Sequence, residues 1–129
     1  MPVRRIWMKM LYLVIAALLG SHVCFSQESR GDILGRVTDP SGAVIAGATV
    51  RAVNTATNVQ STTTTNQTGD YVLPFLIPGT YNFSVQAAGF KNYVQEGITV
   101  QVNSNITLNV ALELGSTTET VRVVAEAPL

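Results

Sequence analysis

One cysteine and one histidine are all that this 129-residue chain offers to thiol, imidazole or metal chemistry, and both stand near its N-terminus, as Cys24 and His22. Charge is scarce as well. Only 12% of residues are charged, the formal net charge is zero, and no basic run occurs beyond the N-terminus, which argues against nucleic acid as a partner. Lys, Glu and aromatic residues are few, whereas Thr, Val, Gly and Asn are frequent, a balance that favours strands over helices. The length suffices for one small domain.

Residues 1–26 have the pattern of a secretory signal peptide. Arg4, Arg5 and Lys9 form a positive leader, and Leu11 to Leu19 is an apolar run well short of the roughly 20 residues a bilayer span needs. Small residues at Cys24 and Ser26 place the cut after Ser26, with Gln27 as the new terminus. An uncleaved anchor helix is the rival reading, disfavoured by the short run. Lipid attachment at Cys24 is disfavoured too, because Val23 precedes it. A cut after Ser26 removes both His22 and Cys24, so the remaining chain has no disulfide and must draw its stability from its core.

The chain is organised around residues 66–90. Asn66 to Asp70 is a polar turn in which Gly69 is free to take positive φ. Tyr71 to Phe75 is a short aromatic strand, with Pro74 marking an edge. Ile77-Pro78-Gly79-Thr80 has the signature of a type II turn. Tyr81, Phe83, Val85 and Ala87 then alternate with polar residues, the pattern of a half-buried strand.

Around that stretch, Gly31 to Thr38 is predicted as a strand with Ile33, Gly35 and Val37 on one face, followed by an Asp39-Pro40-Ser41-Gly42 turn. Thr49 to Asn54 and Val59 to Thr65 are further strands, the second Thr-rich and exposed, with a turn at Thr55 to Asn58 between them. Ala88-Gly89-Phe90 is a turn that tucks Phe90 under the end of the sheet. Val94 to Val102 alternates with Ile98, Val100 and Val102 inward. Ile106, Leu108, Val110, Leu112 and Leu114 alternate without a fault, and Glu119 to Val124 is one more short strand. Strands every 8–12 residues or so with turn chemistry between them indicate an all-β antiparallel sandwich.

In combination, these motifs resemble the carboxypeptidase regulatory-like domain. The residues are Gly35-x-Val37-x-Asp39-x-x-Gly42, Gly47-Ala48, Gly69-x-Tyr71, Leu76-x-Pro78-Gly79-x-Tyr81 and Ala88-Gly89-Phe90. The resemblance covers about residues 31–114, after a lead-in at 27–30. It implies a transthyretin-like (prealbumin-like) sandwich of about seven strands, grouped with carbohydrate-binding-like folds. Gly47-Ala48 would let two backbones approach, and Tyr81 would be a corner tyrosine, its ring inside and its hydroxyl capping a loop. A signal peptide, this domain and a tail such as residues 115–129 are also similar to the start of Oar-like TonB-dependent outer-membrane transporters. The plug and barrel of those proteins are missing here, which implies a linker and the start of a missing downstream region at 115–129, and an exported, periplasmic or outer-membrane location, with secretion as the alternative.

Catalytic constellations are hard to assemble from what remains. No His or Cys base is left to activate a serine, Lys91 stands alone after a turn, and Asp32, Asp39 and Asp70 lie on separate turns as capping residues. No cofactor or metal is expected, and no enzyme. Arg36 occupies the place where isopeptide-forming relatives need a lysine, and guanidinium is no nucleophile. The expectation is a non-catalytic interaction domain whose partner is a protein or the downstream plug and barrel, with membrane contact through the signal peptide or that missing barrel alone. The alternatives are a carbohydrate-binding module, for which Tyr93 is the one candidate surface aromatic, or a free adhesive domain. Val59 to Thr65 and Glu119 to Val124 are the edges that a partner strand would join.

Overall fold

A computed structural model describes residues 2–19 and 29–125. The chain begins with an α-helix, α1 (Pro2–Leu19), and continues as nine β-segments. These are β1 (Gly31–Thr38), β2 (Thr49–Asn54), β3 (Gln60–Thr64), β4 (Asp70–Leu76), β5 (Gly79–Gln86), β6 (Asn92–Val100), β7 (Asn105–Thr107), β8 (Val110–Ala111) and β9 (Thr120–Val124). No described helix is long and apolar enough to cross a membrane. The proposed cleavage point at Ser26 and Gln27, with His22 and Cys24, lies outside the described residues.

Two sheets face each other. The smaller has β1 at its centre, with β4 on one side and β7 and β8 on the other; the larger runs β3-β2-β5-β6-β9. Period-2 alternation explains why the two pack. Ile33, Val37, Tyr71, Leu73, Leu76, Val110 and Leu112 come from the smaller sheet. Ala48, Val50, Ala52, Tyr81, Phe83, Val85, Ile98 and Val100 come from the larger, and all of these side chains are buried between the layers. The Tyr71 and Phe83 rings meet across the gap at 5.7 Å, tilted by 34°.

Three features depart from the sequence reading. The sheets are mixed: β1 pairs with β7 and β8 in parallel, and β6 with β9 in parallel, while the other ladders are antiparallel. Alternation fixes which face a residue occupies, but not the direction of the strand beside it. The alternating run from Ile106 to Leu114 is split, because the chain dips toward β1 at Leu108 and Asn109. There the Leu108 amide donates to the Leu34 carbonyl (2.8 Å), and the Asn109 side chain, rather than the backbone, accepts from the Arg36 amide (3.0 Å). At the ends of their runs, Val102 and Leu114 are exposed.

The third departure lies in β4. Ile33 pairs with Leu73, but Gly31 pairs with Leu76, so β4 carries one extra residue at a bulge. Phe75 takes the positive φ of 60° that such a bulge requires and points outward, 71% exposed, whereas period 2 placed it in the core. Leu76 takes the inward position. The expected type II turn at Pro78-Gly79 is therefore a bend without positive φ, and Gly79 opens β5 against the Asn54 side chain.

The dip at Leu108 has one strict requirement. A Cβ on Gly35 would overlap the Leu108 carbonyl oxygen and stand 3.1 Å from the Tyr71 hydroxyl. Gly47, in contrast, faces open space at φ 73°, so it serves the turn and not a close backbone approach. Gly35→Ala is expected to cost about 3 kcal/mol or more through overpacking, and Gly47→Ala about 1 kcal/mol from left-handed strain. Denaturant melts of the two variants check that order; equal losses would contradict it.

Candidate interaction surfaces

The polar side chains of the sandwich are largely committed to holding it together. Asp39 Oδ1 accepts from the Ser41 hydroxyl (2.6 Å) and from the Ser41 and Ala43 amides (2.9 and 3.0 Å), the geometry of a capped turn. The Ser41 bond is the main reason its carboxyl is held below the usual carboxylate range. Asp70 accepts from Arg36 Nε at 2.8 Å and from the Thr68 hydroxyl at 2.7 Å, and its carboxyl is lowered too, chiefly by the Arg36 bond. Asp32, placed on a turn by the sequence reading, lies in β1 and accepts the Phe75 amide at 3.0 Å. Lys91 does not stand alone: its ammonium lies 3.3 Å from Glu113 and 3.6 Å from Glu119. Among the described residues, no group of three or more His, Cys, Asp or Glu is placed to hold a metal ion.

The tyrosines are spent in the same way. The Tyr71 hydroxyl donates to the Leu108 carbonyl and the Tyr81 hydroxyl to the Ile77 carbonyl, both at 2.7 Å. Desolvation raises the Tyr71 hydroxyl well above its ordinary pKa. Tyr93, the candidate surface aromatic, is half-buried in β6: its ring packs against the core and its hydroxyl donates to Gln95 at 2.9 Å, with burial raising its pKa. Gly42, Gly69 and Gly89 sit at positive φ in their turns. Ala48 is buried, Leu76 lies in the core, Pro78 marks the bend, and Phe90 packs half-buried against the core.

Two structural residues escaped the sequence reading. Thr65, read as part of an exposed Thr run, is only 5% exposed; its hydroxyl donates to the Ile45 carbonyl (2.6 Å) and accepts the Ala48 amide (2.9 Å). Buried Asn54 accepts the Ala56 and Thr57 amides and so closes the β2–β3 turn. Both sit where an alternating strand meets a turn, and composition alone does not mark that boundary.

What is left free is surface. The outer edges of the larger sheet are β3 and β9, and β9 is held to β6 by its ladder, by the Arg122–Glu96 pair (3.1 Å) and by the bond from the Ala125 amide to the Glu96 carbonyl (2.9 Å). The outer face of the smaller sheet is an open saucer of about 610 Å³ floored by Leu34 and Val72 and rimmed by Arg36, Asp70, Thr107 and Asn109. At one end of the sandwich, Phe75, Ile77 and Val59 border a cleft of about 150 Å³ floored by Leu76 and Tyr81.

Comparison with known proteins places these surfaces in a family context. The carboxypeptidase regulatory-like domain matches residues 32–113. The chain is 33% identical over 118 residues to the TonB-dependent transporter Oar of Myxococcus xanthus, covering 90% of this chain but 11% of that protein. Among solved structures it is similar to the Bacillus anthracis TIE protein (TM-score 0.57, 23% identity, 67% of this chain and 17% of that one). A proposed carbohydrate binding protein of Bacteroides uniformis is also similar (TM-score 0.54, 16% identity, 65% and 41%). So is a hydroxyquinol 1,2-dioxygenase of Pseudomonas putida (TM-score 0.55, 11% identity, 70% and 58%). At such identities the shared property is the fold, which by itself assigns no chemistry.

Phe75 bears two costs at once, an exposed phenyl ring and a left-handed backbone worth about 1–2 kcal/mol of strain in a bulky residue. Phe75→Asn, which tolerates that conformation, is expected to raise stability by about 1 kcal/mol and the Tm by a few degrees; a lower Tm would show that the ring supports the core. The lowered carboxyls set an acid limit. Their contribution is fully present above the ordinary carboxylate pKa of about 3.9 and is lost as pH falls through the lower folded values. Melts recorded below about pH 4 should therefore weaken less steeply for Asp70→Asn than for the native chain.

Proposed function

Because the chain belongs to the carboxypeptidase regulatory-like domain family, matched over residues 32–113, we propose that it is the non-catalytic accessory domain at the N-terminus of an exported TonB-dependent outer-membrane transporter. The identity to Oar over 90% of the chain carries this reading. The chain spans 11% of that relative's length, so a plug and barrel would be encoded downstream and transport would belong to them. The domain's own task is to present surfaces to a protein partner in the cell envelope, and no reaction is assigned to it. That fits the side chains described above, with Asp39 capping its turn, Asp70 and Lys91 in ion pairs, and the Tyr71 and Tyr81 hydroxyls in structural hydrogen bonds. The N-terminal 26 residues would direct export and be removed after Ser26.

The binding mechanism that suits this architecture is strand addition. A partner strand can bond to the free backbone edge of β3, whose Gln60–Thr64 side chains alternate between half-buried and exposed. The exposed edge of β9 offers the second place. The DNA following codon 129 tests the transporter reading directly: an open frame encoding a plug and a barrel is expected, and a frame that ends there would refute it. With that plug segment in hand, Thr63→Pro and Val123→Pro should weaken its capture by the domain at least ten-fold, about 1.4 kcal/mol. Unchanged capture by folded variants would remove the edge mechanism while leaving the transporter reading standing.

A further inference from the structure

β9 is held to the larger sheet by its backbone more than by its side chains. β2, β5 and β6 each bury side chains in the core, whereas none of Thr120–Val124 is buried. Val121, the register partner of Tyr93, is half-buried, and Val123 and Val124 stand 39% and 69% exposed. β3 buries nothing either, but it is anchored at both ends, by buried Asn54 in the turn before it and by buried Thr65 after it. For β9 the side-chain links are Glu119 with Lys91 (3.6 Å) at its start and Arg122 with Glu96 (3.1 Å) along its length. Both pairs are partly exposed, and exposed pairs add little to stability. Ala125 closes the ladder at the margin of the core, its amide bonded to the Glu96 carbonyl (2.9 Å).

The β6 edge beneath it is a bounded site. It begins at Asn92, whose amide donates to the Glu119 carbonyl (2.8 Å), and ends at Glu96, because Gly97 follows at φ 78° as an extra residue against β5. Asn92 to Glu96 is the whole length that β9 pairs with. Charge marks both ends, with Lys91 just before the edge and Glu96 at its close. With β9 gone, Lys91 keeps Glu113, but Glu96 has no other cation beside it among the described residues. An acidic residue followed three positions later by a basic one answers both ends, as Glu119 and Arg122 do. The pivot is in place as well. The Lys91 stem lies over Gly115, where a Cβ would come within 2.7 Å of its Cγ, and Phe90 bridges to Leu114, so the chain is fixed up to that glycine. Ser116 to Thr118 then form an uncharged turn, closed by the Glu119 amide on the Ser116 carbonyl (2.9 Å). The stretch shared with the family stops before this turn, at residue 113.

We propose that β9 is a displaceable strand covering a docking site, and that the Asn92–Glu96 edge of β6 receives a partner strand that takes its place. The partner is an extended segment rich in β-branched residues, running parallel to β6. It carries an acidic residue near Lys91, a basic one beside Glu96 and an apolar side chain where Val121 now sits. Release of β9 leaves the buried core side chains where they are, so it opens as a local event while the sandwich stays folded. The edge is free only in the fraction of molecules with β9 released, and that fraction sets the apparent affinity for the partner. At β3, in contrast, a partner strand joins without removing anything. The inference rests on the reading of the domain as one that binds by strand addition, and not on the transporter assignment.

Two measurements on the full chain test this. In the native chain, hydrogen exchange is expected to show the Asn92 and Ala125 amides opening together, about a hundred-fold faster than the Leu112 amide bonded to the Thr38 carbonyl. Equal protection at all three overturns the proposal. The second measurement uses Gln95→Cys with Val123→Cys, a register pair whose disulfide clamps β9 to β6 until it is reduced, in a Cys24→Ser background. Arg122→Glu is added to set a second carboxylate beside Glu96, because β9 in its own chain competes at an effective concentration on the order of 1 mM. The probe is a labelled peptide with the sequence of residues 116–125. The reduced chain is expected to capture it about ten-fold more tightly than the oxidised chain, and a peptide carrying Arg122→Glu is expected to lose that advantage. Equal capture by both forms overturns displacement while leaving addition at a free edge standing. Capture by neither form at about 1 mM peptide also overturns it.

Discussion

The smaller sheet depends on one carbonyl oxygen. Leu108 turns its C=O inward over β1 at Gly35, where there is no side chain to obstruct it, and the Tyr71 hydroxyl comes up from β4 to donate to it at 2.7 Å. Without the hydroxyl, an inward carbonyl would be a polar group in an apolar layer with no partner, and without the glycine there would be no room for it. Both conditions are met by residues on adjacent strands of one sheet, since Gly35 and Tyr71 are register partners. The consequence extends along the chain: because it dips at Leu108, the third strand of this sheet is two short segments, and the Asn109 side chain fills the break in the ladder.

A second local irregularity shapes the surface as the first shapes the interior. The extra residue in β4 leaves the main-chain groups of Phe75 without ladder partners, and two side chains from the start of β1 take them up. Asp32 accepts the amide and Arg30 donates to the carbonyl. The bulge is thus fully hydrogen-bonded, and the strain at Phe75 is held by a charged clasp instead of relaxing into a regular strand. The same clasp places the opposite charges of Arg30 and Asp32 beside the most exposed aromatic ring of the sandwich.

Most of the layer structure was legible from alternation alone. Gly31 to Thr38, Thr49 to Asn54 and the run from Tyr81 to Val85 occupy the faces that period 2 assigns them, and the family motif named the sandwich. What stayed hidden follows from physics that is not local. The parallel pairings depend on where the chain re-enters a sheet, and Ile106 to Leu114 reads as unbroken because nothing in its own residues announces Gly35 seventy positions earlier. Tyr71, Leu73 and Phe75 form a perfect triplet, yet Pro74 sits in it, and an edge strand with a proline is where a ladder most easily gains a residue. For the surfaces the sequence was a poorer guide. Tyr93, read as a loop aromatic, lies in β6 with its ring half-buried against the core, and Phe75 read as core because its exposure is a product of backbone geometry.

The direction of β9 follows from where it begins. After β8 the chain crosses to the larger sheet beside the start of β6: Phe90 bridges to Leu114, the Lys91 amide donates to the Glu113 carbonyl, and the Asn92 amide donates to the Glu119 carbonyl. A strand that starts next to the start of β6 can only run parallel to it. β9 lies outside the stretch shared with the family, yet it completes the sheet and carries the chain away from the end that holds Lys91, Glu113 and Glu119. The polypeptide thus both enters the sandwich and heads out of it toward the end that carries Phe75 and its Arg30–Asp32 clasp. The Arg36–Asp70 pair, the Lys91–Glu113–Glu119 cluster and the Asp39 turn lie at the opposite end, whereas the Arg122–Glu96 pair ties β9 to the middle of β6.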